Sequence, residues 1–129
     1  MHVIFGGAFN GKRAYVENRI QGQNVQWMNA EEDIPVLLSN TEVVVVYGVE
    51  NLVQTKLEEW LEHLERWNMK FEVIVIATEI GRGIVPMEAT ARRLRDDVGR
   101  FYQQLFTKAE SVTRIWYGIA QTIKGDVWR

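Results

Sequence analysis

Four consecutive valines, Val43 to Val46, followed by Tyr47 and Gly48, constrain this chain more than any other feature. A strand with one wet face alternates apolar and polar residues, whereas one apolar at every position is buried on both faces. Such a strand needs a sheet covered by helices on both sides, the α/β arrangement. Shorter apolar runs at residues 2–5, 25–28, 71–77 and 112–117 read as further strands, with an extended tail at 119–123. Between them, steps of three and four mark helices. Leu52, Val53, Leu57, Trp60, Leu61, Leu64 and Trp67 give one apolar face over residues 51–67. Ala91, Leu94, Val98, Phe101 or Tyr102, and Leu105 give another over about 88–108. Residues 12–20 suit a short helix closed by Gly22, and residues 30–39 a second one that begins near Pro35 or kinks there. The alternation predicts a single domain over residues 1–129, with a mostly parallel sheet flanked by helices.

Composition narrows the function. Lys and Arg number 15 against 17 Asp and Glu, a net charge of -2, so a global electrostatic grip on nucleic acid is not expected. The absence of cysteine excludes disulfides, thiolate metal sites and a cysteine nucleophile. His2 and His63 are too scattered for a histidine metal site. No apolar run approaches the roughly 20 residues that span a bilayer, and no basic stretch precedes an apolar one at the start. The expectation is a cytoplasmic protein with no membrane partner.

Chemistry enters at Gly6-Gly7-Ala8-Phe9-Asn10-Gly11-Lys12-Arg13, which follows the first strand and opens the first helix. This matches G-x-x-x-x-G-K-[ST] up to its last position. The bland reading is a glycine turn that ends a strand. In the functional one, glycines let backbone N–H groups turn around phosphate oxygens, Lys12 adds a point charge, and the helix N-terminus adds its dipole. Strand, glycines, lysine and helix in register favour the second, so residues 6–13 are the candidate nucleotide site and Lys12 the candidate catalytic residue. The final hydroxyl, which would hold Mg²⁺, is replaced by Arg13, which either contacts phosphate itself or points into solvent. A carboxylate at the tip of a neighbouring strand is also missing, since the valine strand runs into Tyr47-Gly48-Val49-Glu50. Glu50 is either a late substitute or a helix-entry cap, and capping is the favoured reading. With both metal-organising positions altered, a normally held Mg²⁺ is not expected.

A second segment, Glu79-Ile80-Gly81-Arg82-Gly83-Ile84-Val85-Pro86, leads into Ala91-Arg92-Arg93-Leu94-Arg95-Asp96 and Gly99-Arg100. With the glycine loop and the closing Trp116-Tyr117-Gly118-Ile119, this resembles the bifunctional adenosylcobinamide kinase / adenosylcobinamide-phosphate guanylyltransferase family of cobalamin biosynthesis. The resemblance implies a P-loop NTPase-like domain, binding of ATP or GTP, cobinamide as phosphate acceptor, and a homo-oligomer, a trimer. It also implies substrate or subunit contacts for Glu79, Gly81, Gly83, Arg92 and Arg95. Members carry a hydroxyl where this chain has Arg13, an aspartate where it has Tyr47 or Gly48, and a longer insert with a guanylylated histidine. Residues 30–41 here contain no histidine, so the guanylyltransferase half-reaction is expected to be lost. His63 falls inside the 51–67 helix and reads as a solvent-facing residue.

The arginines have a bland reading too. Bracketed by Glu88, Asp96 and Asp97, they can form intrahelical ion pairs worth a few tenths of a kcal/mol each. Of the five tryptophans most read as core or interface filler, and Trp128 as an exposed tail suited to a subunit contact. Two functional readings stand: a nucleotide-dependent cobinamide kinase of reduced activity, or an inert relative that senses nucleotide or partners another subunit.

Overall fold

The computed structural model describes residues 1–8, 10–80 and 88–128. Ten elements follow one another: β1 (His2–Gly6), α1 (Lys12–Arg19), β2 (Val25–Asn29), β3 (Val43–Tyr47), a 3₁₀ turn (Val49–Asn51), α2 (Gln54–Trp67), β4 (Glu72–Thr78), α3 (Ala89–Lys108), β5 (Ser111–Trp116) and β6 (Ile119–Lys124). The strands form one sheet in the order β2-β3-β4-β1-β5-β6. All pairs are parallel except the β5–β6 hairpin. The α/β expectation is therefore met.

The valine strand explains the layering. Val43 and Val45 join Ile4, Val16, Ile20, Ile74 and Ile76 in the core beneath α1. Val44 and Val46 point the other way, into the core that Leu57, Trp60 and Leu64 of α2 and Val98, Phe101 and Leu105 of α3 complete. Each such buried side chain contributes about 1.5–3 kcal/mol. β1 sits centrally: its chain leaves through α1 for β2 at the far edge, whereas β4 passes through α3 to β5 on the other side of β1. Adjacent strands whose connections diverge leave a crevice at their carboxyl ends, where ligands bind in sheets of this type.

Three expectations are corrected. Residues 30–39 form no helix: Pro35 cannot donate to one, and the segment is hung on β2 by the side chain of Gln26 instead. Gln26 Nε2 donates to Val36 O at 3.2 Å, and its Oε1 accepts from Leu38 N at 3.0 Å and Thr41 Oγ1 at 3.1 Å. Val53, expected on the core face of the second long helix, precedes α2 and is 57% exposed. Trp128 is not an exposed tail. It is buried, stacks on His2 at 5.4 Å, and its Nε1 donates to Glu72 Oε1 at 3.0 Å. Among the described residues no helix is long and apolar enough to cross a membrane.

Candidate functional site

The glycine loop leaves β1 at the crevice. A Cβ on Gly6 would run into the Ile115 carbonyl oxygen, so only glycine lets β1 and β5 lie this close where the loop begins. Gly11 turns the chain with φ 90°, and Lys12 is the first residue of α1. That helix has no side-chain cap and no acid in its first turn, so its leading N–H groups remain available to an anion. Behind the loop, Gly118 N of the β5–β6 turn donates to Asn10 O at 2.9 Å. Lys12 itself is 7% exposed, and its ammonium donates to the Gly7 carbonyl oxygen at 2.6 Å. Burial pushes its pKa down, and the charges of Glu50 and then Glu79 pull it back up. Phe9 lies outside the described residues.

A cavity of about 450 Å³ opens here, lined by Asn10, Gly11, Lys12, Arg13 and Ala14 from the loop and α1, Tyr47, Gly48 and Glu50 after β3, and Ile76 and Thr78 of β4. Its volume falls in the range of small-molecule sites. Arg13 lines this cavity and is more than half exposed. Its guanidinium lies over Trp27 at 4.3 Å and Tyr47 at 5.7 Å, and its Nε donates to Glu17 at 2.8 Å. Gly48 takes φ 86°, and a Cβ there would strike Asn29 Oδ1 at 2.7 Å.

Glu50 does not cap a helix. The 3₁₀ turn and α2 both lack a side-chain cap, and Glu50 Oε1 instead accepts from Thr78 N at 3.4 Å. The hydroxyl of Tyr102, reaching across from α3, donates to Thr78 O at 2.7 Å. Its pKa is pushed up by burial and by the charge of Glu50. Glu50 is therefore held at the β4 tip, with its charge felt at both Lys12 and Tyr102. Glu79 N donates to Gly6 O at 2.8 Å, and the Glu79 carboxylate pairs with Arg114 at 3.4 Å. Sequence periodicity marks Tyr102 as core without revealing its hydroxyl's task, and nothing marks Arg114.

Whether this donor set suits Mg²⁺ turns on Glu50. Among the described residues no group of three or more His, Cys, Asp or Glu could hold a metal. Nucleotide-bound Mg²⁺ does not need such a cage, because one or two carboxylates, substrate phosphates and waters suffice. Glu50 meets that smaller requirement.

The other expected residues lie apart. Gly81 and Gly83 fall outside the described residues. Arg92 is exposed on α3, and Arg95 lies 3.9 Å from Asp96. Arg95, Gly99 and Gln103 share a shallow depression with Ile80, Asp96 and Arg100, which among the described residues has none in common with the loop cavity. Arg100 pairs with the buried Asp97. A larger groove of about 710 Å³ runs between residues 32–37 and α2. His63 lines it half-buried, edge-on to Trp67 at 5.6 Å and hydrogen-bonded through Nδ1 to Glu59 O at 3.0 Å, a bond open to solvent. That groove holds neither loop amides nor the buried lysine.

Comparison with known proteins bears on the whole arrangement. The bifunctional adenosylcobalamin biosynthesis protein CobU of Escherichia coli (strain K12) is 33% identical over 77 residues, 60% of this chain and 41% of that protein. Its counterpart from Salmonella typhimurium is 40% identical over 53 residues, 41% of this chain and 29% of that protein. This chain thus spans less than half the length of either relative. The profile of the family described as cobinamide kinase / cobinamide phosphate guanyltransferase matches residues 26–123, from β2 into β6, leaving the glycine loop to be judged on its geometry. With that span covering most of the sequence, the chain belongs to the cobinamide kinase / cobinamide phosphate guanyltransferase family.

Proposed function

We propose that this chain binds the phosphates of ATP or GTP in the cavity at the carboxyl ends of β1, β3 and β4, and that it is a reduced cobinamide kinase without the guanylyl-transfer half. The observation that carries the reading is Lys12, buried at the mouth of that cavity on the first turn of an uncapped helix. An ammonium held by the Gly7 carbonyl has few other uses, and it lies where phosphate oxygens would meet the α1 amides. Lys12 would stabilise the transferred phosphoryl group, with residues 6–13 cradling the rest of the nucleotide. Phosphoryl transfer depends on positioning and charge stabilisation, so losing the hydroxyl at position 13 and the strand-tip acid should slow it by about a thousandfold or more. The missing histidine in residues 30–41 supports loss of guanylyl transfer.

Thermal unfolding with ATP or GTP tests the binding. At a hundred times the dissociation constant, nucleotide adds about 2.7 kcal/mol, a shift of several degrees. Lys12→Ala should remove most of that shift. Radiolabelled transfer to cobinamide then separates the reduced kinase from a second reading, an inert nucleotide sensor or subunit partner. The packing of Arg13 against Trp27 and Tyr47 favours that second reading, because it uses the cation for stability. Lys12-dependent binding without transfer would select the sensor, and no shift at millimolar nucleotide would refute nucleotide binding and leave only the subunit partner. Assembly into a homo-oligomer, a trimer by resemblance, belongs to the same proposal and is read by light scattering.

A further inference from the structure

We infer that Glu50 is a metal-holding residue, supplying from the 3₁₀ turn after β3 the carboxylate that the strand tip lacks. The inference rests on the nucleotide-binding reading and extends it to a divalent cation carried with the phosphates. Three observations converge on it. Glu50 lines the same cavity as Lys12 and the leading turn of α1, so a carboxylate shares a space otherwise furnished for anions. Such a charge repels a triphosphate unless a cation lies between them. Glu50 is also held in place, because Oε1 is occupied by Thr78 N at 3.4 Å and Thr78 is in turn fixed by the Tyr102 hydroxyl at 2.7 Å. That leaves Oε2 as the atom able to reach a cation. Finally, among the described residues that line the cavity Glu50 is the one carboxylate, with Tyr47 at the strand tip. One carboxylate with phosphate oxygens and water satisfies Mg²⁺, which keeps several waters in such sites.

The test is a two-by-two titration calorimetry experiment with ATP, in EDTA or in excess Mg²⁺, on the wild type and Glu50→Gln. Gln keeps the shape and an oxygen acceptor for Thr78 N, and a circular dichroism melt verifies the fold. In the wild type, Mg²⁺ should tighten ATP binding by about tenfold, within the usual range of coupling between two ligands. Glu50→Gln should bring that increment below about threefold while metal-free ATP binds as tightly as to the wild type or tighter, because a repulsive charge has gone. Undiminished binding in the metal-free arm separates this role from a structural one, which would weaken both. Binding of Mn²⁺ in the presence of ATP, followed by its paramagnetic resonance signal, should weaken by the same factor. A wild type indifferent to Mg²⁺, or a variant that keeps the full increment, overturns the inference and leaves nucleotide binding standing. ATP binding to neither protein in either arm overturns the nucleotide reading, and this inference with it.

Discussion

Trp128→Ala distinguishes a strap that completes the core from a surface contact between subunits. The indole is 5% exposed and belongs to the α1-side core with Ile4, Val16 and Ile115. It also stacks on His2, lies 6.1 Å from Tyr15, and donates to Glu72 at 3.0 Å. Replacing a buried tryptophan by alanine costs about 3–5 kcal/mol. Trp128 stands in a segment without helix or strand, which can relax around the vacated space, so the expected loss is the lower figure, about 3 kcal/mol. At about 2.1 cal/mol/K per residue, 129 residues give an unfolding entropy near 0.27 kcal/mol/K, so the midpoint should fall by about 11 °C. Trp128→Phe retains a ring but not the bond to Glu72, and should lose about 1 kcal/mol, some 4 °C. Scanning calorimetry at two protein concentrations twentyfold apart is the assay. A core strap lowers the midpoint equally at both concentrations, whereas a subunit contact makes the loss concentration-dependent. A loss under about 1 kcal/mol for the alanine variant, or one that varies with concentration, refutes the reasoning.

Gly6→Ala should destabilise by about 1–3 kcal/mol, read as a lower urea midpoint, because its Cβ meets the backbone oxygen of Ile115 in a central ladder that cannot yield cheaply. Gly7→Ala meets the side chains of Asn10 at 3.0 Å and Glu79 at 3.9 Å rather than backbone, and should cost clearly less. His2 gives a pH dependence. Burial first, then the chain-terminal ammonium, hold its pKa below the ordinary 6.5, against the upward pull of Glu110 and Glu72. The unfolded chain then binds the proton more readily than the folded one. The contribution of His2 is thus fully present above about pH 6.5 and is lost as pH falls through the lower folded value. The thermal midpoint should drop between pH 7 and pH 5, and His2→Gln should make that drop shallower; an unchanged slope would exclude His2 as its source.

The valine strand made the two-sided sheet legible, because burial on both faces leaves a pattern that depends on nothing remote. The glycine loop was legible for a similar reason: its strand, turn and helix are contiguous, so spacing alone encodes the geometry. Residues 30–39 were not, since what shapes the segment is a side-chain amide four residues before it begins, a contact that no local pattern announces. Ile34 and Leu37 of this segment pack partly buried against the core without a helix to present them. Trp128 escaped because its burial depends on space left on the α1 face by a helix of only eight residues, a fact about layers and not about the tail. Glu50 escaped because its distance from the strand tip, counted along the chain, conceals that a 3₁₀ turn brings its carboxylate back to β4.

The two departures at the loop site, read separately in the sequence, are one arrangement in the structure. Arg13 stands where a hydroxyl would follow the loop lysine, and Tyr47 stands at the strand tip. The guanidinium of the first lies over the ring of the second at 5.7 Å and over Trp27 at 4.3 Å. Contacts of this kind are worth about 0.5–1 kcal/mol when exposed, so they bias Arg13 towards the β2–β3 side of the cavity it lines. The same packing puts an aromatic surface where an acid would order a cation. On the reading proposed above, Lys12 would act on phosphate and Glu50 on a cation, both from the lining of one cavity. A site built this way can retain nucleotide affinity after much of its transfer rate has gone, because the lysine and helix amides serve binding even when metal organisation is poor.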